Sequence, residues 1–361
     1  MKNTTYQQQR DIHATQQLRK LRQNLPPICN AFFVGIEPRT SALTRLGYAQ
    51  DLRVFFHFLL TEIVEFVDIS PYAFDYNHLS AVTANHIEMF LEYLSHYELD
   101  GVEHSNTLKT KARKLASVKS FFKYCYNRDY IPSDPASKVA TPKLHTKAII
   151  RLENDEVEQL LDCVDNGNGL RGKQKSYHER TKVRDQAILT LFLGTGIRIS
   201  ELVGLNVDDI DFSTRAFRIV RKGGNETVLY FSEEVARALL EWLDARAANE
   251  KLDHEPALFI SLQNKRICAR AVENLVKKYA QISAPLKHIT PHKLRSTYGT
   301  QLYRQTHDIY VVAEVLGHSD INTTKKHYAA MSEETKRAAA QQVVLRKTEL
   351  SDNPEQSDEE S

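Results

Sequence analysis

Residues 106–127, NTLKTKARKLASVKSFFKYCYN, decide how the first part of the chain is read. Apolar side chains fall at Leu108, Ala112, Leu115, Val118, Phe122 and Cys125, in steps of four and three that share one face of a helix. The spacing predicts a helix across the whole stretch. Lys109, Lys111, Arg113, Lys114, Lys119 and Lys123 fall between the apolar positions and are expected on its exposed side.

Upstream, Leu46, Ala49, Val54 and Phe58, with Phe55 and Phe56 beside them, predict a buried helix beginning near Ser41. Ile87, Phe90, Leu91 and Leu94 predict another over 84–97. Residues 1–40 are polar and Gln-rich and read as an N-terminal extension, a helix with the basic run Arg19, Lys20 and Arg22 before a turn at Pro26-Pro27. A helical domain is therefore expected over 41–145. His57, Glu62 and Glu65 interrupt the apolar stretch Val54–Val67, which falls short of the ~20 apolar residues a membrane helix needs. The polar N-terminus carries no signal-peptide pattern, so a cytoplasmic protein without a membrane partner is expected. Cys29, Cys125, Cys163 and Cys268 are scattered without C-x-x-C spacing, and are expected as reduced core thiols.

The net charge of +2 conceals a segregation. Residues 62–103 hold nine acids and no Lys or Arg, whereas residues 105–147 hold ten bases against Asp129 and Asp134. The last eleven residues carry five acids and no bases, leaving 48 bases against 41 acids elsewhere, a net +7. Such asymmetry favours a polyanion bound on one face. The basic helix is the candidate surface.

Downstream, Pro132, Pro135 and Pro142 end the helical pattern, and 138–150 reads as an extended basic linker with the domain boundary near 145. A helix is expected from Asn154 or Asp155, where an Asx cap and first-turn acids suit the helix dipole. Gly167, Gly172 and Lys173 match G-x-x-x-x-G-K, but Gln174 stands where a phosphate loop needs Ser or Thr, and no strand precedes it. The segment 166–175 reads instead as an exposed Gly-rich insertion. Residues 184–193 predict a buried helix ending at Gly194-Thr195-Gly196, after which Arg198 and Glu201 lie one turn apart on a new helix. Residues 217–220 and 227–231 flank Arg221-Lys222-Gly223-Gly224-Asn225 and read as a β-hairpin, and helices follow over 233–247 and 269–280.

The richest chemistry lies in 288–328, HITPHKLRSTYGTQLYRQTHDIYVVAEVLGHSDINTTKKHY. His292 and Arg295 are three apart, Gly317-His318 precedes a helix-like run, and Tyr328 follows ten residues later. A phenol titrates near ~10, so its use as a nucleophile at neutral pH costs roughly 4 kcal/mol. Converging Arg and His side chains offset that cost. The set Arg198, Lys222, His292, Arg295, His318 and Tyr328 contains no carboxylate cluster or HExxH spacing, so no metal or other cofactor is expected. It suits phosphodiester cleavage: guanidiniums bind the non-bridging oxygens, a His accepts the phenol proton, and a Lys or second His protonates the departing alkoxide. A Tyr nucleophile conserves the bond energy as a phosphotyrosine.

The motifs TGIRISEL, TPHKLRSTYGT and LGHSDINTTKKHY, in that order, closely resemble the tyrosine recombinase, or phage integrase, family. Residues 150–345 resemble its catalytic domain and about 40–140 its helical core-binding domain; the layout is similar to Xer-type two-domain members. The resemblance implies a mainly α, two-domain clamp on double-stranded DNA: a helical core-binding domain plus a mixed α/β, mostly helical catalytic domain over 150–348 with a small antiparallel β-sheet, then an acidic tail over 349–361. It implies that Arg198 and Arg295 bind the scissile phosphate, that Glu201 steadies Arg198, and that Lys222 protonates the leaving 5′ oxygen. His292 is implied as general base or phosphate donor, His318 as a further donor, and Tyr328 as the nucleophile that joins the 3′ phosphate.

Two positions depart from the family pattern. The hairpin reads Arg-Lys-Gly-Gly where many relatives read Gly-Lys-Gly, and Lys222 is preferred to Arg221 because an Arg is a poor proton donor. Ten residues separate His318 from Tyr328 where nine are commoner, so His327 stands in the usual place; Tyr328 is the only phenol after His318. The implied activity is site-specific strand exchange by four protomers on DNA, with residues 332–347 as a helix docking on a neighbouring protomer. Relaxation by a type IB topoisomerase and non-enzymatic DNA binding are the alternatives.

Overall fold

Short polar side chains start the helices of the N-terminal part. Thr5, Ser41, Asp75, Thr83 and Thr107 each accept a hydrogen bond from a first-turn backbone N–H, satisfying donors that have no partner inside a helix. The computed structural model describes residues 5–144, 150–221, 225–249, 252, 255–317, 321, 322 and 324. Contacts divide the chain into two units, 1–147 and 148–361.

The first unit comprises α1 (Tyr6–Arg22), α2 (Cys29–Gly35), α3 (Ala42–Glu62), α4 (Tyr76–Ala81), α5 (Ala84–Tyr93), the strands β1 (Tyr97–Leu99) and β2 (Val102–His104), and α6 (Leu108–Tyr126). Its core is aromatic: Phe32, Phe55, Phe58, Phe90, Phe121 and Phe122 are fully buried. Phe55 meets Phe90 edge-on at 5.1 Å between ring centroids, and Phe32 meets Phe121 at 5.4 Å. Edge-to-face rings add to the area they bury. The N-terminal segment shares this core through Leu18, Leu25 and Phe32.

Two sequence expectations change here. The helix expected over 84–97 ends at Tyr93, and residues 97–104 form a hairpin with Leu99 paired to Val102. Asp100 and Gly101 both take positive φ, 55° and 74°, as a two-residue hairpin turn of this hand requires. On α6, Lys114 is not on the exposed side: it is 7 % exposed, with its ammonium 3.3 Å from the Asp51 carboxylate. Asp51, itself 1 % exposed, also accepts from Arg113 Nη1 at 2.5 Å and Ser117 Oγ at 2.7 Å. The Lys114 aliphatic stem continues the apolar face, and burial drives its pKa down while Asp51 opposes that shift.

The second unit comprises α7 (Asn154–Asn166), α8 (Lys173–Thr195), α9 (Ile199–Leu202), the strands β3 (Ile210–Asp211), β4 (Ala216–Val220) and β5 (Glu226–Tyr230), then α10 (Glu233–Ala247), α11 (Ala269–Ser283), α12 (Pro291–Thr306) and α13 (Ile309–Leu316). Helix α8 is central, packing against α7, α10 and α12, and its Ile188, Leu189, Leu191 and Phe192 are fully buried. It begins at Lys173, eleven residues before the expected start, because its first turns are hydrophilic and exposed. The segment 166–175 is exposed as expected except at Gly167 and Leu170, which are buried, and its last three residues belong to α8. The strands form one antiparallel sheet in the order β3-β4-β5, with Val220 paired to Glu226 at the hairpin end. Cys29, Cys125 and Cys163 are buried free thiols, whereas Cys268, expected in the core, is exposed. Among the described residues no helix is long and apolar enough to cross a membrane.

Asp51 offers a stability test. Asp51→Ala leaves the Lys114 charge buried without its partner, and a loss of about 3–5 kcal/mol is expected. Urea unfolding followed through the first unit measures it. A change under about 1 kcal/mol would show that Lys114 escapes to solvent at little cost.

Candidate active site

Helix α13 ends at Gly317, whose φ of 59° lies in the left-handed region; its N–H donates to Glu314 O at 2.9 Å, and the last carbonyls of a helix have no partner within it. Three arginines from different elements supply the donors. Arg198 Nη2 donates to Gly317 O at 2.8 Å, and Arg295 Nη2 donates to Leu316 O. Arg221 donates from Nη2 to Val315 O at 2.7 Å and from Nη1 to Glu314 O at 3.2 Å. Cations at this end also oppose the negative pole of the helix dipole.

The Arg198 and Arg295 guanidiniums are each held from a second side. Arg198 is the N-cap residue of α9, and Glu201 braces it twice: Oε1 accepts from Nη1 at 2.8 Å and Oε2 from the Arg198 backbone N–H at 2.9 Å. Glu201 is 7 % exposed. Arg295, 4 % exposed on α12, donates from Nη1 to Gly196 O at 2.5 Å. Gly196 closes α8 with φ of 62°, and an added Cβ there would lie 2.5 Å from Tyr298 and 2.9 Å from Leu316. Only a glycine lets α8 stop, turn and deliver Arg198 within two residues. Burial lowers the Arg221 pKa from its ordinary value, Glu201 raises it, and Arg198 lowers it, which places Arg221 in the electrostatic field of the Arg198–Glu201 pair.

Of the residues singled out in the sequence, Arg198, Glu201 and Arg295 are thus brought to one place. His292 lies in the first turn of α12, one turn before Arg295, with its side chain exposed and its carbonyl accepting from Ser296. Lys222, His318 and Tyr328, the expected docking helix 332–347 and the acidic tail 349–361 lie outside the described residues. In sequence, Lys222 directly follows Arg221 and His318 directly follows Gly317. Arg221 is the member of the cluster whose role sequence reasoning missed. Its partners lie 93 and 94 residues away, beyond any local pattern.

On α6 the six bases separate into two groups. Lys109, Arg113 and Lys123 are exposed, although Arg113 is paired with Asp51. Lys111 Nζ donates to Leu91 O at 2.7 Å and Ser95 Oγ at 2.6 Å, Lys119 Nζ to Val139 O at 2.6 Å, and Lys114 is buried. The latter three tie α6 to its own unit.

Gly196→Ala tests the delivery of Arg198. Backbone strain and the clash with Tyr298 are expected to lower stability by about 2–4 kcal/mol, measured by thermal unfolding. Unchanged stability would mean that Tyr298 moves aside freely.

Comparisons with known proteins agree on one family. The phage integrase family profile matches residues 150–335. Tyrosine recombinase XerC of Caldanaerobacter subterraneus subsp. tengcongensis is 33 % identical over 312 residues, covering 83 % of this chain and 82 % of that protein. Tyrosine recombinase XerC of Corynebacterium efficiens is 34 % identical over 257 residues, covering 71 % of this chain and 79 % of the relative. Among solved structures, the XerH site-specific recombinase in a post-cleavage complex with its palindromic difH substrate has a TM-score of 0.63 at 18 % identity, covering 83 % of this chain and 80 % of that one. The Tn1549 transposon integrase in complex with a circular intermediate DNA has a TM-score of 0.63 at 19 % identity, covering 88 % and 99 %. Those likenesses show the same fold, and the sequence relatives favour recombination over topoisomerase action or simple DNA binding. The chain therefore belongs to the phage integrase family and is a tyrosine recombinase of the Xer type, an enzyme of site-specific DNA cleavage and rejoining.

Proposed function

We propose that this recombinase exchanges strands between two duplex sites in the cytoplasm, with four protomers acting in pairs on double-stranded DNA and a phosphotyrosyl bond at Tyr328 as the intermediate. The observation that supports the reading best is the convergence of Arg198 and Arg295 on adjacent carbonyls, Gly317 O and Leu316 O. Two guanidiniums fixed beside one another match the geometry of a phosphodiester.

Each residue then has a task. Arg198 and Arg295 hold the non-bridging oxygens of the scissile phosphate and stabilise the charge that grows as its phosphorus becomes five-coordinate. Tyr328 Oη attacks that phosphorus while His292 accepts the phenol proton. The bond from phosphorus to the 5′ oxygen breaks, Lys222 donates a proton to that oxygen, and His318 donates a hydrogen bond to the phosphate. The DNA 3′ phosphate is left on Tyr328. Attack by a 5′ hydroxyl from the partner duplex reverses the same steps and rejoins the strands. Glu201 keeps Arg198 oriented and touches no substrate. Lys109, Arg113 and Lys123 face the DNA backbone, and Lys111, Lys114 and Lys119 support that face by holding α6 in place.

A nicked duplex recovered by the wild-type protein from a randomised pool is the substrate for the main test. The wild type is expected to leave a covalent adduct on a denaturing gel, and Tyr328→Phe none. An adduct persisting in Tyr328→Phe would move the nucleophile elsewhere. Arg198→Ala and Arg295→Ala are each expected to slow adduct formation by about 10²–10³.

The basic face has a separate test in salt. Lys109→Ala and Lys123→Ala are each expected to reduce the magnitude of the slope of log K against log salt by about 0.9. An unchanged slope in a titration of duplex binding would remove these side chains from the DNA surface.

A further inference from the structure

Three observations give Arg221 a purpose. Its guanidinium bonds the carbonyls of Glu314 and Val315, at the end of α13. It lies flat against Gly317, where an added Cβ would come within 2.0 Å of Nη1 and 2.3 Å of Cζ. Its backbone N–H donates to Asn225 O at 2.8 Å, so the residue also continues the β4–β5 pairing into the turn end of the hairpin. One residue is thereby fixed at its main chain to the sheet and at its side chain to a helix 93 residues further on.

We propose that Arg221 is a positioning residue that pins the turn end of the β4–β5 hairpin to the end of α13, and so keeps the adjoining Lys222 in register with the phosphate site proposed for Arg198 and Arg295. The proposal rests on the assignment of Lys222 as the group that protonates the leaving oxygen. Charge alone does not account for the arrangement. What sets Arg221 apart from Arg198 and Arg295 is its main chain, which bonds Asn225 O across the β4–β5 turn. Arg reaches two successive carbonyls through its forked donors, whereas a Lys ammonium is a single point. The length of the side chain spans the gap between sheet and helix, and Gly317 leaves room for it.

The consequence is specific to leaving-group protonation. In cleavage of natural DNA the tyrosine oxygen bonds to phosphorus, the bond to the 5′ oxygen breaks, and Lys222 gives that oxygen a proton. With sulfur in place of the 5′ oxygen, the bond from phosphorus to sulfur breaks and a thiolate departs with both electrons. A thiol ionises near ~8.5, so no proton donor is needed. A misplaced Lys222 therefore harms the oxygen substrate and spares the sulfur one.

The experiment compares single-turnover cleavage of the two substrates, built on a duplex that the wild-type protein cleaves, by wild type, Lys222→Ala, Arg221→Met and Arg221→Lys. Arg221→Met is expected to lose roughly ten- to a hundredfold on the oxygen substrate, in line with the cost of a displacement of about 1 Å at a catalytic group. It is expected to regain wild-type rate within about threefold on the sulfur substrate, as Lys222→Ala does, with duplex affinity unchanged. Arg221→Lys, which keeps the charge and loses the fork, is expected to fall between. Equal slowing of both Arg221 variants on both substrates would assign Arg221 to general folding or phosphate binding and overturn the proposal, as would wild-type cleavage of the oxygen substrate by Arg221→Met. Equal slowing of Lys222→Ala on both substrates would sink the acid assignment of Lys222, and the proposal with it.

Discussion

Four consecutive carbonyls, from Glu314 to Gly317, accept hydrogen bonds from the guanidiniums of Arg221, Arg295 and Arg198. The arrangement of the second unit follows from that constraint. A helix C-terminus presents orphan acceptors and a partial negative charge. Elements that deliver a cation to it are therefore drawn to one point: the turn after α8, the end of β4, and the middle of α12. Chains separated by about a hundred residues meet there because each brings a donor that the helix end lacks. The buried length of α8 sets the scale of the scaffold, and Gly196 permits the abrupt stop that turns the chain toward the site.

The nature of the acceptors matters as much as their position. A carboxylate orients an arginine but cancels its charge. A backbone carbonyl orients it and leaves the charge for a ligand. Arg295, buried to 4 %, donates to two such carbonyls, Gly196 O and Leu316 O. Arg198 shares its charge with Glu201, and its side chain is correspondingly more exposed, at 35 %. The pair combines a buried cation of fixed orientation with a braced one at the surface. That is the pre-organisation that phosphoryl chemistry rewards, since donors already in place need no rearrangement as charge develops.

Much of this was legible in the sequence where one period dominates. The apolar spacing of α6, α10 and α11 marks their helices, because a stripe of four or more buried positions is long enough to separate a 3.6-residue period from noise. The β4–β5 hairpin was marked by two apolar runs about a Gly-Gly-Asn turn. The β1–β2 hairpin escaped because strands of three residues carry too little alternation, although Asp100-Gly101 was the local signal available. The first half of α8 escaped because its side chains are polar and face solvent. Arg198, Glu201 and Arg295 were singled out through ordered motifs, but the adjacent carbonyls of Gly317 and Leu316 that receive the two arginines were not, since a carbonyl leaves no mark in a sequence. Lys114 shows the complementary failure. A lysine among apolar neighbours reads as exposed until Asp51, 63 residues earlier, is seen beneath it.

The two units treat positive charge in opposite ways for a single physical reason. On α6, Lys111, Lys114 and Lys119 spend their donors on Leu91, Ser95, Asp51 and Val139, and so become part of the scaffold. Lys109 and Lys123 stay in water, where a phosphate contact releases counterions at little conformational cost. A solvated lysine is mobile and reads charge but not geometry. At the end of α13 the cations are arginines, fixed by backbone carbonyls and, for Arg198, also by Glu201, as the proposed function requires of groups that hold a reacting phosphate in one orientation. Flexible bases suit holding a duplex; rigid ones suit cutting it. Arg221 belongs with the second kind. Its main chain bonds Asn225 O and its side chain Glu314 O and Val315 O, so both ends of the residue are fixed.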